Sequence, residues 1–344
     1  MDRKKIAVVG LGFGQYMAEH HLLRGPGAEY FELTAVCDRD PARLATAAAS
    51  LGVRGVPDLD VLLREREIAA IGLFTGPVDR AEQVRKIIRA GKDVITTKPF
   101  ELDAEKAEAV LREAARLGRT VHLNSPAPGL SGDFRQIKAW QEKYRLGRAI
   151  AGRHEAWYKR VEQADGSWYD DPELCPVAPV FRLGIYGIND MVRIFGEPES
   201  VQTMQSRIFT GRPTPDLAQL TIRFRNGAIA TTLDGWCLQP PRDESCLTIH
   251  YENGTVHRGP AAIPGAAGKI VLCVVPADQA DGRPAETVLL PEQEMSRAYQ
   301  WQAFYRSLNG EPPEDPTPVE AIVHGIRILA AMKRSMKSGR TEPV

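Results

Sequence analysis

Ile6-Ala7-Val8-Val9-Gly10-Leu11-Gly12-Phe13-Gly14-Gln15 is the stretch that decides the fold. A short apolar run ends in closely spaced glycines, and an amphipathic helical pattern begins near Tyr16, so a strand turns directly into a helix. Glycines at such a turn let the backbone approach a pyrophosphate, and the first free N–H groups of the helix favour its negative charge. The third glycine of the full fingerprint is missing, because Gln15 stands in its place. Gly10, Gly12, Phe13 and Gly14 are the candidate dinucleotide-binding residues; the alternative is that the glycines serve only a tight turn. The second strand, Leu33–Cys37, ends at Asp38, whose carboxylate can accept hydrogen bonds from a ribose diol and so favours NAD. Arg39, next to it, could hold a 2′-phosphate, which keeps NADP open.

Outward from that turn, residues 1–124 alternate short apolar strands with capped helices, the βαβ grammar of a doubly wound parallel sheet. Asp40-Pro41 places an N-cap and a first-turn proline before Ala42–Leu51, and Gly52 supplies the left-handed terminator. Asp103 to Leu117, closed by Gly118, repeats the arrangement. Ala69–Phe74, Asp93–Thr97 and Thr120–Leu123 read as further strands. The expected architecture is therefore an α/β Rossmann domain followed by something else. A chain of 344 residues, 43% hydrophobic and 26% charged, has core enough for two domains and is neither disordered nor fibrous. Its 44 Lys and Arg balance 44 Asp and Glu, so no net charge draws it to nucleic acid or an anionic membrane. Five cysteines, Cys37, Cys175, Cys237, Cys246 and Cys273, are scattered without Cys-x-x-Cys spacing, which indicates neither a disulfide framework nor a metal site. The apolar run after Met1-Asp2-Arg3-Lys4-Lys5 is too short for a signal or a membrane span, so the expected compartment is the cytoplasm.

Beyond residue 124 the pattern changes. Ser125-Pro126-Ala127-Pro128-Gly129 marks a junction, and residues 125–344 read as an α+β domain with a large, mostly antiparallel open sheet. Asn226-Gly227 and Asn253-Gly254 sit between alternating runs, the signal for hairpins with type I′ turns. Residues 316–337 have helical spacing, with Val319, Ile322, Ile326, Leu329 and Met332 on one face that packs back on the body. Asp278–Pro284 reads as a surface loop. Phe181, Ile185, Ile188, Val192 and Phe195 form an apolar helical stripe, with Arg182, Tyr186 and Asn189 on an adjacent polar face. Thr96-Thr97-Lys98-Pro99-Phe100 puts a lysine at the carboxyl edge of the parallel sheet, where ligands of such folds bind.

The order of these motifs, with Cys37-Asp38-Arg39-Asp40-Pro41, Ala90-Gly91-Lys92-Asp93-Val94 and Ser338-Gly339-Arg340, resembles the Gfo/Idh/MocA family of dehydrogenases along nearly the whole chain. The family's lysine usually follows a glutamate and precedes a proline; Lys98 and Pro99 match, while Thr97 replaces the glutamate. The family's catalytic helix carries aspartate, histidine and aspartate where this chain has Arg182, Tyr186 and Asn189. A tyrosine at the histidine's place occurs in the glucose–fructose oxidoreductase and dihydrodiol dehydrogenase branches. The resemblance also implies that Thr75, Gly76, Pro77 and Asn124 wall the nicotinamide, and that a homodimer or homotetramer forms through the second domain's sheet.

The chemistry then expected is hydride transfer between NAD(P) and a secondary alcohol or carbonyl of a sugar, cyclitol or sugar acid. Lys98 and Tyr186 form the acid–base pair, and either can be the base: a neighbouring ammonium favours the phenolate, and Thr97 in place of the glutamate removes a carboxylate that would hold the lysine protonated. Lys98, Arg182, Tyr186 and Asn189 are the substrate-contact candidates, with Trp168 as a possible sugar platform. Arg182 in place of an acid points to a carboxylate or phosphate on the substrate. Each has a plainer reading: a surface lysine, a solvated arginine, a core-edge tyrosine, an aromatic packed in its own loop. His122 and His154, on predicted strands, read as satisfied structural histidines. Two other functions stay open, a non-catalytic NAD(P)-binding sensor and a glycosidase in which tightly held NAD cycles within one turnover.

Overall fold

The structure is a computed structural model that describes residues 2–158, 163–236, 244–260, 269–279 and 281–344. Cys237 lies outside the described residues. Contacts divide the chain into two compact units, Met1–Gly129 with Tyr299–Val319, and Leu130–Ala298 with Glu320–Val344.

In the first unit, β1 (Lys4–Val9), β2 (Phe31–Cys37), β3 (Arg54–Val56), β4 (Ile68–Leu73), β5 (Asp93–Thr96) and β6 (Val121–Leu123) pair in parallel in the order β3-β2-β1-β4-β5-β6. The reversal of strand order beside β1 is the switch point at which such sheets bind ligands. Helices α1 (Gly14–Met17), α2 (Pro41–Leu51), α3 (Leu59–Arg64), α4 (Arg80–Arg89) and α5 (Ala104–Arg116) connect them. The capping signals act as read: the Asp40 carboxylate accepts from the N–H groups of Ala42 and Arg43, and Gly52 closes α2 with a left-handed φ of 66°. Asp103 accepts from the Lys106 N–H at the start of α5. The helix after the glycine turn does not stay α-helical; Ala18–Leu23 continues it as a π-helix.

One part of this core comes from far along the sequence. Helix α8 (Trp301–Leu308) lays Phe304 on Phe31 at 5.4 Å and Trp301 against it at 5.8 Å, and Trp301 donates to His21 Nδ1 at 3.1 Å. Phe31, Trp301 and Phe304 are at most 2% exposed, so the helix seals the β2 side of the first unit's core. His122 on β6 is fully buried against Phe304, but neither ring nitrogen has a hydrogen-bond partner, so it is structural without being satisfied. Burial pushes its pKa down to about 3, which keeps it neutral.

The second unit holds α6 (Gly132–Lys143), β7 (Ala149–Trp157), α7 (Ile185–Phe195) and α9 (Val319–Ser338), with strands β8 (Pro198–Ser206), β9 (Leu217–Phe224), β10 (Ile229–Gly235), β11 (Glu244–Tyr251), β12 (Gly254–Pro260), β13 (Lys269–Pro276), β14 (Glu286–Pro291) and β15 (Glu342–Pro343). Nine strands pair in the order β14-β13-β12-β11-β7-β10-β9-β8-β15, all antiparallel except β7 with β10. Helix α9 buries Val323, Ile326, Leu329 and Met332, so Val323 joins the expected stripe while Val319 and Ile322 lie at its margin.

Both hairpins form, but neither uses a type I′ turn, since neither Asn226 nor Asn253 takes a positive φ. Phe224 and Ala228 close a three-residue loop in which only Gly227, at φ 90°, is left-handed. The Asn226 side chain accepts from the Ala228 N–H and donates to Phe195 O, so tertiary contact outweighs the asparagine's own turn preference. In the other hairpin Tyr251 pairs with Gly254, which moves the turn one residue upstream to Glu252-Asn253. Among the described residues no helix is long and apolar enough to cross a membrane, and no three His, Cys, Asp or Glu side chains gather to hold a metal ion.

Candidate active site

Two sets of residues carry the expected chemistry, one on each unit. On the first unit the chain leaves β1 at Gly10 with φ 87°, and a Cβ there would stand 2.7 Å from the Thr75 backbone nitrogen. Gly14 packs helix on sheet, since a Cβ there would lie 2.9 Å from Val8 Cγ1. The packing glycine thus stands one position before the fingerprint's usual third glycine, whose place Gln15 takes. Gly12 is exposed with nothing within 4 Å of a would-be Cβ. The turn is packed beneath and open above, the form of a pyrophosphate cradle. Phe13 is 44% exposed beside it, with its ring 5.9 Å from that of Phe74.

Asp38 braces this turn from β2. Its Oδ2 accepts from the Leu11 N–H at 2.7 Å, and Oδ1 accepts from the Asp40 N–H at 2.9 Å. Burial works to raise its pKa, but the Asp40 and Leu11 N–H donors and Arg43 outweigh it and hold the carboxyl below its ordinary value. An anchored, charged carboxylate at the end of β2 fits the ribose-binding role of this position. Arg39 is exposed, and Arg43 pairs with Asp38 at 3.5 Å, so two guanidinium groups stand near that edge.

The ends of β4, β5 and β6 bring Thr75, Gly76, Pro77, Lys98 and Asn124 to one edge of the sheet. Asn124 is fully buried, and its Oδ1 accepts from the Lys98 N–H at 3.1 Å. Lys98 is half-buried, as are Thr97 and Thr75, and the Thr75 hydroxyl donates to Gln83 Oε1 at 3.0 Å. Gly76 is exposed, and Pro77 is buried. Arg80, which the sequence pattern did not single out, lies under these loops with 1% exposure and donates to Thr97 O at 2.6 Å, to Pro99 O at 2.5 Å and to Thr75 O.

On the second unit, a π-helical turn, Val180–Gly184, leads into α7 and carries Arg182; Tyr186 lies in the first turn of α7, and both are half-buried. The Arg182 guanidinium lies 5.7 Å from the Tyr158 ring centre and 5.6 Å from that of Tyr169. The guanidinium thus makes cation–π contacts with two aromatic rings. Trp168 stacks on Tyr169 at 4.0 Å and touches Phe181, while Arg212 donates to Asp170 at 2.6 Å and binds this loop from below. Trp168 is thus part of the support that holds Tyr169 against Arg182. The expected apolar stripe, Phe181, Ile185, Ile188, Val192 and Phe195, is buried throughout.

Asn189 does not share the surface of Arg182 and Tyr186: it is 4% exposed, and its amide oxygen lies against Gly325 of α9. Beside it, Asp190 and Asp133 each accept from buried Arg258 at 2.5 Å, which anchors the back of α7. Beneath Tyr186 the helix backbone rests on buried polar groups, since Cβ atoms on Gly184 and Gly187 would collide with Asp234 and His154. Asp234 accepts from the Thr232 hydroxyl at 2.6 Å, and its other oxygen, 3.6 Å from His154 Nδ1, makes no hydrogen bond. Burial raises the Asp234 pKa to about 8 and lowers that of His154 to about 3. His154 also contacts Thr232 and Ser245 hydroxyls at 3.3 Å, so it is a satisfied structural histidine.

Sheet order, glycine turn and strand-end lysine define a nucleotide-binding oxidoreductase architecture. Residues 4–125 match the oxidoreductase-family NAD-binding Rossmann fold of Gfo/Idh/MocA proteins, and residues 134–257 match the Gfo/Idh/MocA C-terminal domain. The chain belongs to the Gfo/Idh/MocA oxidoreductase family. An uncharacterized oxidoreductase of Schizosaccharomyces pombe is 28% identical over 201 residues, 57% of this chain and 53% of its own length, so the chain spans about half of that relative. The UDP-N-acetylglucosamine 3-dehydrogenase of Acidithiobacillus ferrooxidans is 22% identical over 282 residues, 78% of this chain and 82% of its own. The WlbA dehydrogenase from Bordetella pertussis, in complex with NADH and UDP-GlcNAcA, shares the fold with a TM-score of 0.73 at 20% identity, over 100% of this chain and 98% of that one.

Proposed function

We propose that this protein is an NAD-dependent oxidoreductase that moves a hydride between the nicotinamide and a secondary alcohol or carbonyl of a sugar bearing an acidic group. The observation that carries the reading is the carboxyl edge of the parallel sheet. An open glycine turn braced by a charged Asp38 shares that edge with Lys98, whose backbone is tied to Asn124. Gly10, Gly12, Phe13 and Gly14 would hold the pyrophosphate, Asp38 the adenosine ribose, with Arg39 beside it, and Thr75, Gly76, Pro77 and Asn124 the nicotinamide end. Bound there, NAD supplies the hydride acceptor. Lys98 is the residue proposed to move the hydroxyl proton, and Tyr186 of the second unit is the other acid–base candidate. Arg182, whose guanidinium contacts the rings of Tyr158 and Tyr169, binds the substrate's carboxylate or phosphate. The relatives named for UDP-N-acetylglucosamine and crystallised with UDP-GlcNAcA support a sugar carrying acidic groups.

The test is titration of NADH and NADPH into the protein, then a spectrophotometric screen of sugars, cyclitols, sugar acids and nucleotide sugars with the wild type and Lys98→Ala. Turnover in the wild type, reduced about a thousandfold in Lys98→Ala with NADH affinity kept, is the expected result. Tight NADH binding with no turnover of any candidate favours a sensor or an internal redox cycle, and absence of binding overturns the assignments at Gly10, Gly12 and Asp38.

We further propose that the protein works in the cytoplasm, where Cys37, Cys175, Cys246 and Cys273, none of them in a disulfide, stay reduced, as a homodimer or homotetramer joined through the second unit's sheet. The face of that sheet carrying Met204 (75% exposed), Ile229 (42%) and Leu289 (39%) supports self-association. A monomeric mass by sedimentation equilibrium rules this out.

A further inference from the structure

Two buried cations of the first unit donate to main-chain carbonyls, at opposite ends of the same sheet. Lys92, 4% exposed at the amino end of β5, gives its ammonium to Glu65 O at 2.6 Å and Ile68 O at 2.7 Å. Arg80, 1% exposed at the start of α4, works at the carboxyl end, where ligands of parallel sheets bind. Its targets are not spread along one loop. Nη2 donates to Thr75 O after β4, and Nη1 donates to Thr97 O and Pro99 O after β5, the carbonyls on either side of Lys98. From the other side, Asn124 after β6 accepts from the Lys98 N–H.

One planar guanidinium therefore joins the loop of Thr75, Gly76 and Pro77 to the loop of Lys98. A lysine ammonium, with its donors on a single atom, cannot reach both loops in this fork geometry. Charge-assisted donation to carbonyls is among the stronger hydrogen bonding available in a protein interior. The Arg80 site is closed beneath by Glu101, 2% exposed, whose carboxylate accepts from the N–H groups of Ala81 and Leu102 and so ties the first turn of α4 to the segment after Phe100.

We infer that Arg80 is a positioning residue: by bridging the carbonyls that flank Lys98 to Thr75, it fixes the lysine against the nicotinamide end of the cofactor. The inference rests on the proposed oxidoreductase reading. It requires that the adenosine half of the cofactor, held at Gly10 to Gly14 and Asp38, be indifferent to Arg80 while the placement of Lys98 depends on it. Lys92 is the internal control, since it contributes the same kind of buried donation at the edge away from the site.

The test compares wild type, Arg80→Lys, Arg80→Gln and Lys92→Met, each as the full chain checked for a cooperative thermal transition. NADH affinity is measured by fluorescence titration. Acetylation of Lys98 by an activated acetate ester is followed by peptide mass spectrometry, with and without saturating NADH. NADH is expected to slow Lys98 acetylation in the wild type and in Lys92→Met, and that shielding is expected to be lost in both Arg80 variants although they still bind NADH. Undiminished shielding in the Arg80 variants overturns the inference and leaves the oxidoreductase reading standing. A wild type that binds NADH without shielding Lys98 overturns the role given to Lys98, and the inference with it; a wild type that binds no NADH overturns both. Arg80 variants that neither melt cooperatively nor bind NADH make Arg80 a packing residue only and overturn the inference.

Discussion

The nucleotide edge of the first unit and the helix surface of the second are built in opposite ways. At the first, main chain does the shaping: Gly10 turns because nothing larger fits at φ 87° against Thr75, and the partners of Asp38 are backbone N–H groups. At the second, side chains shape other side chains. Arg182 contacts the rings of Tyr158 and Tyr169, and Tyr186 sits on a helix whose glycines rest on Asp234 and His154. The difference teaches where tolerance lies: a backbone site fails at single atoms, whereas a side-chain site loses function in steps.

The strongest test of that contrast is Gly10→Ala. One methyl at a left-handed position, 2.7 Å from a backbone nitrogen, is expected to weaken NADH binding about a hundredfold and to lower stability by about 1–3 kcal/mol, read by titration and denaturant melts. Affinity within threefold of the wild type would show that the turn gives way more easily than its packing implies. Arg182→Ala comes next. Loss of a charge-assisted contact worth about 2 kcal/mol raises KM for acidic substrates about thirtyfold and leaves neutral ones unchanged, by steady-state kinetics. Equal effects on both classes would remove the anion-binding role.

A smaller effect is expected beneath the helix. Burial holds the Asp234 proton up to about pH 8, whereas the unfolded chain releases it near 3.8, so the unfolded state binds fewer protons across that window and stability falls as pH rises. Asp234→Asn removes that slope, and its melting temperature should exceed the wild type's by roughly 3–6 °C at pH 8 and converge with it near pH 4. Parallel melting curves at all pH values would mean that the Asp234 carboxyl ionises normally. The smallest effect is Tyr169→Leu: removing one aromatic face from Arg182 should raise KM for an acidic substrate about threefold, with kcat unchanged.

Much of the first unit was legible because its signals are local. Asp40, Pro41 and Gly52 bound α2 within a dozen residues, and glycines at a strand-to-helix turn have few other uses. Strand β3, three residues long, carries too little periodicity to read. The stripe of α7 was legible for the same local reason, but its polar face was not. Asn189 lies one turn beyond Tyr186 on the same helix, but α9 packs over it at Gly325 and buries it, a contact with a residue more than a hundred positions away. Nothing about Arg80 in a polar helix start predicts 1% exposure, because its carbonyl partners belong to loops 5 to 19 residues away.

By itself, then, the sequence determined the strand–helix alternation of the first unit, the glycine turn, the strand-end positions of Asp38 and Lys98, and the apolar face of α7. Each follows from backbone sterics and hydrophobic period acting over a few residues. Only the tertiary structure decided that α8 returns to cover Phe31, that Arg80 bridges two strand ends, that Arg182 meets the rings of Tyr158 and Tyr169, and that Asp234 and His154 support the helix of Tyr186. Those contacts join residues distant along the chain, and their energies come from burial and charge pairing, which no local pattern encodes.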